Sequence, residues 1–432
     1  MQRSTDRILT THVGALPRPR DLEDALVDQP HCPEAFAGLL PRSVDAVVEQ
    51  QRDAGIDVVN DGEMGKPTWD WYVMDRLSGF EYRPDRVDKA LDGQDQREFP
   101  GFYAQAAVNG LWYGTTDDLV AESASRTPVC TGPIRYDATQ VRRDVANLRK
   151  AVDGSGAVDA FLPVVAPASV EVGQQNEHYG TDEEYLWALA EALKQEYEAI
   201  VDGGFLVQVD DAWIPGLWNT YGGNIDAPTW REFCMKRVEA LNHALSGIPA
   251  DRVRYHVCWG SWHGPHANDI PMEELVPVML SVNAGAYLFE AGNVRHEHEY
   301  AVWDEVALPE GKVIIPGGHQ PRNAHRRASA VGGAAAGPLR RTRRACQRPG
   351  RHRLRTRRSR ASRDRLGKAA LVDRRRPVGQ RAAPGRRPRV TWRLGSRGHR
   401  PSRRVREFGL LQPRGSRPVG KRLPGEQVLT GR

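Results

Sequence analysis

Short runs of apolar residues recur along the first three quarters of the chain, and most of them end in polar or acidic residues. One run covers residues 8–13, and a second, residues 55–63, ends in Asp61-Gly62-Glu63. Similar runs follow at residues 127–133, 161–169, 205–211, 255–260, 286–290 and 312–317. Strands that are apolar throughout are typical of a sheet that is buried on both faces.

Stretches with helical periodicity separate several of these predicted strands. The most regular one covers residues 182–202 and begins with three acidic residues, which stabilise the first turn of a helix. Another lies at about residues 43–53. Alternating strands and helices predict a parallel sheet, and eight such strands would close a (β/α)8 TIM barrel. No Gly-x-Gly-x-x-Gly loop follows a predicted strand, so a nucleotide-binding sheet has no support.

The charge distribution changes abruptly after Gly317. Residues 318–432 contain 35 Lys and Arg against four Asp and Glu, a net charge of +31, whereas residues 1–317 carry a net charge of −25. The basic segment has only two aromatic residues, Trp392 and Phe408. Such a composition does not bury enough apolar surface to fold. We therefore expect one barrel domain over residues 1–317, with its last strand or strands missing or scrambled, and a disordered Arg-rich segment over residues 318–432.

The sequence contains no sign of export or of membrane insertion. No apolar run reaches the length of a membrane-spanning helix, and the first seven residues are polar. Five cysteines over this length form no disulfide framework. These features predict a cytoplasmic protein without a membrane partner.

A His-x-Cys pair is the best candidate for a metal site. On an extended strand, His256 and Cys258 would point to the same face about 7 Å apart. An imidazole and a thiolate together suit Zn²⁺. Glu290, at the end of the next predicted strand, would complete three protein ligands and leave an open position of the catalytic kind. Spacing alone also allows the pair to be ordinary core residues.

Two further carboxylates, Glu63 and Asp210, end predicted strands. In a barrel the carboxyl ends of the strands meet at one mouth, where paired carboxylates can act as general acids or bases. Alternatively, Asp210 or Asp211 would cap a following helix.

Five motifs together resemble the C-terminal catalytic domain of the cobalamin-independent methionine synthases and their relatives, over about residues 7–316. They are Thr10-Thr11-His12-Val13-Gly14, Asp61-Gly62-Glu63, Val209-Asp210-Asp211, His256-Val257-Cys258 and Phe289-Glu290-Ala291. The resemblance implies a barrel in which His256, Cys258 and Glu290 bind Zn²⁺, which activates a substrate thiol. It also implies a homocysteine site and 5-methyltetrahydrofolate as the methyl donor. The implied site residues are Val13, Gly14, Ala15, Glu63 and Asp210, with the last two as catalytic carboxylates.

Two departures from the synthase pattern leave the substrate open. Ala15 stands where the synthases prefer Ser, and Asp211 replaces the Glu of their Asp-Glu-Pro. The compact chain is also similar to epoxyalkane:coenzyme M transferases, in which a zinc-bound thiol attacks an epoxide. The expected partners are therefore a small-molecule thiol and a methyl or alkyl donor, and the sequence does not indicate an oligomeric state.

The second cysteine that the resemblance implies as a fourth zinc ligand is absent. Residues 349–355, Pro-Gly-Arg-His-Arg-Leu-Arg, can be encoded so that the loss of one base yields Leu-Ala-Gly-Thr-Asp-Cys-Gly, which contains the missing Asp-Cys-Gly. We therefore expect a one-base insertion near codons 317–318 to have changed the reading frame. The chain as written should then bind metal weakly and show little or no activity.

The basic segment has an alternative interpretation as a genuine arm that binds polyanions through phosphate contacts. It has no motif for sequence-specific recognition of nucleic acid.

Two histidine-rich segments remain ambiguous. His263 and His266 follow the His-x-Cys pair and would either contact substrate or only form hydrogen bonds. Residues 295–299, Arg-His-Glu-His-Glu, have metal-like spacing, but their alternating charge is typical of a solvated face.

Overall fold

The computed structural model describes residues 1–29, 31–83, 93–109, 127–172, 175–221, 225–260, 264–292 and 295–318. His263 lies outside these ranges, as does the Arg-rich segment after Gly318, so the predicted disorder of that segment stays a prediction.

The strands of the described residues are β1 (Val58–Asn60), β2 (Leu77–Arg83), β3 (Thr127–Tyr136), β4 (Asp159–Val165), β5 (Gln175–Asn176), β6 (Leu206–Asp210), β7 (Val253–His256), β8 (Ala286–Glu290) and β9 (Val313–Gly317). The α-helices are α1 (Arg20–Val27), α2 (Pro33–Asp53), α3 (Gln94–Glu98), α4 (Pro100–Asn109), α5 (Thr139–Val152), α6 (Pro167–Val172), α7 (Asp182–Asp202), α8 (Trp213–Tyr221), α9 (Ala227–Ala244), α10 (Met272–Leu280) and α11 (Val302–Glu305). Short 3-10 helices cover Trp71–Asp75, Ala250–Arg252 and Glu297–Ala301.

A six-stranded sheet with the order β1-β4-β6-β7-β8-β9 forms the centre of the fold. All of its neighbouring strands pair in parallel, and helices lie between them along the chain. Strands β4 and β6 are almost entirely buried, as a sheet covered on both faces requires. This curled parallel sheet is part of a (β/α)8 barrel, which confirms the predicted fold class.

The N-terminal run at residues 8–13 is shorter as a strand than predicted. Only Thr11 forms a β-bridge, in parallel with Val58. Next to Thr11, a side chain takes the place of a backbone hydrogen-bond partner. The Asp57 carboxylate accepts the Thr10 N–H at 2.8 Å and also binds Arg7.

The run at residues 127–133 does not belong to the barrel sheet as predicted. It is part of β3, which pairs antiparallel with β2 and parallel with β5 in a separate three-stranded sheet. Residues 131–136 of this strand are half-buried or exposed, unlike those of a strand in a sheet that is covered on both faces. Gly79, at a φ of 95°, accompanies a register shift between Ser78 and Phe80.

Helix prediction succeeded where an end signal was present. The predicted helix at residues 182–202 is confirmed as α7, and the Thr181 hydroxyl accepts the Glu184 N–H at 3.1 Å. The predicted helix at residues 43–53 begins earlier, at Pro33, because Phe36 and Leu40 extend the same buried face. Every helix in the described part of the chain is too short or too polar to span a lipid bilayer.

A buried ion cluster joins three elements inside the core. Arg76 donates to Asp144 of α5 at 2.5 Å and to Glu196 of α7 at 2.6 Å, and these side chains are at most 6% exposed. The Tyr72 hydroxyl donates to Glu196 at 3.1 Å. Pairing offsets the desolvation of each charge. Without Arg76, Asp144 would keep only the more exposed Arg143, at 3.0 Å, and Glu196 would keep the Tyr72 hydroxyl.

We predict that Arg76→Met destabilises the fold by about 3–5 kcal/mol, because Glu196 loses its ion pair in the core and Asp144 loses the more buried of its two guanidinium partners. Urea unfolding measures the change. Arg231→Met is the matched control, since it removes the half-exposed pair with Glu274 at 3.0 Å and should cost about 1 kcal/mol or less. Equal losses in the two variants would contradict the role of the cluster.

Candidate active site

The residues that the sequence predicts for the site lie at the carboxyl ends of four strands in the central sheet. Glu63 follows β1, and Asp210, His256 and Glu290 are the last residues of β6, β7 and β8. The register pairs Asp210 directly with His256 across β6 and β7. Carboxyl ends of parallel strands share one edge, which is where (β/α)8 enzymes place their chemistry.

Cys258 lies in the loop after β7, because that strand ends at His256. The predicted strand at residues 255–260 is therefore too long, and strand alternation does not set the relation between His256 and Cys258. Gly260, at a φ of 93°, turns the chain, and its N–H donates to Cys258 Sγ at 3.2 Å. The turn directs the sulfur towards β8.

Cys258 and Glu290 are in direct contact. The thiol donates to Glu290 Oε1 at 3.3 Å. Burial raises the pKa of Cys258 well above its ordinary value, and the nearby Glu290 carboxylate raises it further. In the absence of a metal the thiol keeps its proton.

His256 is oriented by Asp210. Its Nδ1 lies 2.9 Å from Asp210 Oδ1, and Gln208 Nε2 donates to the same oxygen at 2.9 Å. An imidazole that donates to a carboxylate through Nδ1 presents Nε2 to a metal, as outer carboxylates do for histidine ligands in zinc proteins.

The three predicted zinc ligands form two contacts instead of one cluster. Cys258 pairs with Glu290, whereas His256 pairs with Asp210. Within the described ranges, no group of three His, Cys, Asp or Glu side chains is arranged to hold a metal ion. The donor set nevertheless fits zinc, since thiol, imidazole and carboxylate lie at one sheet edge and His256 is held by its other nitrogen.

Glu63 occupies a strained turn. Its φ of 54° is in the left-handed region, directly after Gly62 at 65°. The Asp61 carboxylate accepts the Glu63 N–H at 3.0 Å, and Arg18 Nη2 donates to the Glu63 carbonyl at 3.1 Å. A left-handed non-glycine residue costs energy and is most often found where function requires it.

The loop of Val13, Gly14 and Ala15 packs against this turn. Asn60 Nδ2 donates to the Gly14 carbonyl at 3.2 Å, and Gln208 Nε2 donates to the Val13 carbonyl at 2.5 Å. A methyl group at Gly14 would overlap Glu63 Oε1, so glycine lets the carboxylate approach. Val13 and Ala15 are exposed, whereas Gly14 is buried. The structure therefore brings the five predicted substrate residues to one region through β1 and β6.

The carboxylates of Asp210 and Asp211 bind other side chains and do not cap a helix in these contacts. Asp210 holds His256, and Asp211 accepts hydrogen bonds from Ser169 Oγ and the Tyr255 hydroxyl, each at 2.9 Å. Burial raises the pKa of Asp211 to about 6 despite these donors. Asp211 therefore joins α6 to β7.

Sequence reasoning missed a buried histidine cluster beside Cys258 and Glu290. His296 was predicted to lie on a solvated face, but it is 5% exposed and contacts Asp269 and Glu299. His266 Nδ1 also binds Asp269, at 3.0 Å. The available signal was the Glu three residues after His296, which can accept from a histidine of the same turn. Glu297 and His298 are exposed, as predicted for that face.

No protein-family profile matches the chain, but individual proteins are similar to it. The methionine synthase of Sulfolobus acidocaldarius is 26% identical over 284 residues, which cover 63% of this chain and 68% of the relative. The methionine synthase of Saccharolobus solfataricus is 24% identical over 276 residues, or 62% and 68% of the two chains.

The chain is thus similar in sequence to methionine synthases, and the predicted resemblance is confirmed. Among solved structures, the B12-independent methionine synthase from Shewanella sp. W3-18-1, in complex with selenomethionine, is similar with a TM-score of 0.51. Its sequence identity is 18%, and the alignment covers 71% of this chain and 79% of the synthase, so this likeness shows the fold. The predicted class of enzyme, a methyltransferase, is confirmed by the named relatives.

The buried Glu63 predicts an unusual dependence of stability on pH. Burial raises its pKa from 4.5 to about 7. The folded chain therefore binds the proton more tightly than the unfolded chain. The proton bound to Glu63 therefore stabilises the fold fully below about pH 4.5. This stabilisation, about 3 kcal/mol, is lost as the pH rises through about 7.

We predict that Glu63→Gln, which does not ionise, is more stable than the unaltered chain at pH 8 by up to about 3 kcal/mol and similar to it near pH 4.5. Urea unfolding across this range measures the difference. The exposed Glu239→Gln is the control and should leave the profile unchanged. Parallel profiles for Glu63→Gln and the unaltered chain would refute the prediction.

Proposed function

We propose that residues 1–317 of this chain are those of a zinc-dependent transferase that methylates the thiol of homocysteine, with 5-methyltetrahydrofolate as donor and methionine as product, and that the altered segment after Gly317 weakens zinc binding and activity. The observation that carries the proposal is the pairing of Cys258 with Glu290 beside a His256 that Asp210 holds through Nδ1. This geometry supports His256 Nε2, Cys258 Sγ and Glu290 as zinc ligands. When bound, zinc would supply Lewis-acid chemistry that favours the thiolate of a substrate at neutral pH.

The chain's own residues would bind and orient homocysteine. Glu63 has a buried carboxylate, and the nearby Asp210 carboxylate raises its pKa further. Together they suit an ammonium group, and the Val13–Ala15 loop would cover it. The reacting thiol loses its proton, its sulfur forms a bond to the methyl carbon, and the bond from N5 of the donor breaks. The electron pair of that bond stays on N5, which takes up a proton.

An alternative acceptor is a thiol without an amino group, as in the epoxyalkane:coenzyme M transferases. The buried Glu63 and Asp210 favour homocysteine, because a carboxylate pair has no partner on coenzyme M, whose other end is a sulfonate. Activity with coenzyme M but not with homocysteine would contradict this assignment.

We further propose that residues 1–317 form the catalytic domain and that residues 318–432 result from a changed reading frame. A cytoplasmic location also stays a prediction. The sequence of the gene across codons 310–360 tests the frame. An unchanged frame, with salt-dependent DNA binding and no zinc, would favour the polyanion-binding alternative instead.

We predict that homocysteine binds more tightly as the pH rises through about 7, because only the carboxylate form of Glu63 pairs with the ammonium group. Below about pH 7 the affinity for homocysteine should fall by up to about tenfold per pH unit relative to the affinity for coenzyme M, which lacks the amino group. Isothermal calorimetry with both thiols measures the ratio. Glu63→Gln should remove this difference, and Gly14→Ala, which displaces the carboxylate, should weaken it. The same pH profile for both thiols would contradict the assignment.

We predict that deletion of one base near codons 317–318 yields a chain with Asp-Cys-Gly and tighter zinc binding. A fourth ligand should raise the affinity by more than the 10–100-fold that an outer contact contributes. Chelator competition on both chains measures the change, and Cys258→Ala in each should remove most of the binding. The exposed Glu239→Gln serves as the control. Equal affinity of the two chains would contradict the reading-frame hypothesis.

A further inference from the structure

A largely buried polar cluster joins the loop after β7 to the loop after β8. We call it the Asp269 cluster, and its members are Trp259, His266, Asp269, His296 and Glu299. His296 Nε2 lies 3.1 Å from Asp269 Oδ2, and its Nδ1 lies 2.7 Å from Glu299 Oε2. His266 Nδ1 lies 3.0 Å from the other Asp269 oxygen. One carboxylate therefore holds a histidine from each loop.

Ring stacking and backbone contacts fix the Asp269 cluster in place. The Trp259 and His296 rings stack with centroids 4.1 Å apart and an angle of 23° between their planes. Trp259 Nε1 donates to the Ile270 carbonyl at 2.8 Å, and Glu299 Oε1 accepts the Met272 N–H of α10 at 3.0 Å. The cluster thus anchors both loops to the start of α10.

Arg295 extends from the Asp269 cluster to the candidate zinc site. Its Nη2 lies 3.5 Å from Glu290 Oε2 and 3.5 Å from the Gly260 carbonyl, and its Nε lies 3.8 Å from Asp269 Oδ2. Arg295 and Glu290 are 18% and 20% exposed, so solvent screens this pair less than a surface ion pair. Because His296 is the next residue, the cluster also restrains the backbone from which Arg295 extends.

We propose that Arg295 is a positioning residue that holds Glu290 by Oε2, so that Oε1 faces Cys258. In the zinc site proposed above, Glu290 would then bind through Oε1 alone. A guanidinium suits this role, because its planar fork spans the carboxylate, the Gly260 carbonyl and Asp269 at once, which an ammonium group does not. The metal part of this inference rests on the proposed function, whereas the contact of Arg295 with Glu290 does not.

A double-mutant cycle in the full chain tests the inference through zinc affinity. Arg295→Gln should weaken zinc binding by about 10–100-fold, as the loss of an outer contact does. Glu290→Gln should weaken it at least as much, and the double variant should be no worse than Glu290→Gln alone. Arg295→Lys should recover only part of the affinity. The matched control, Arg231→Gln, removes the ion pair with Glu274 elsewhere and should leave the affinity unchanged.

The same variants in chelator-treated protein separate this inference from the proposed function. Each single variant should lower Tm, and the double variant should lower it by less than the sum of the two shifts. If the unaltered chain binds no zinc but its melting temperatures are non-additive, the proposed function fails and the role of Arg295 stands. Additive shifts in Tm would overturn the inference, as would unchanged zinc affinity in Arg295→Gln when the unaltered chain binds zinc.

Discussion

Parallel hydrogen bonding between β6, β7 and β8 is the constraint on which the candidate site depends. The register sets Asp210 opposite His256 and His256 opposite Leu288, two residues before Glu290. A slip of one residue would turn each side chain to the opposite face of the sheet. Sheet register therefore brings the carboxylates and the imidazole to one edge, and the turn at Gly260 adds the Cys258 thiol.

The same edge concentrates buried charge, which opposes stability. Burial raises the pKa of Asp61, Glu63 and Asp211. Lys66 partly compensates for Asp61 and Glu63, because its positive charge lowers the pKa of both carboxyl groups. It also donates to the Pro163 carbonyl and lies over the Tyr72 ring at 4.1 Å. The left-handed backbone of Glu63 adds strain at the same place. Such concentrated strain and perturbed ionisation are typical of a functional site, which supports the proposed roles of Glu63 and Asp210.

Sequence patterns were sufficient for the features that depend on local chemistry. Buried strands ending in polar residues predicted the parallel sheet, and the acidic first turn at residues 182–184 marked α7. Features set by distant partners were not predictable. The antiparallel pairing of β3 depends on β2, more than forty residues earlier. The burial of His296 depends on Trp259 and Asp269, which only the folded chain brings close.

Zinc K-edge X-ray absorption on the purified, zinc-loaded chain, with and without homocysteine, tests the proposed zinc site. We expect a sulfur neighbour of zinc from Cys258 together with nitrogen and oxygen neighbours, and one additional sulfur when homocysteine is present. The Cys258→Ala variant should lack the first of these sulfurs. Absence of any zinc–sulfur neighbour, or no change on addition of homocysteine, would contradict the assignment of this sheet edge as a thiol-activating zinc site.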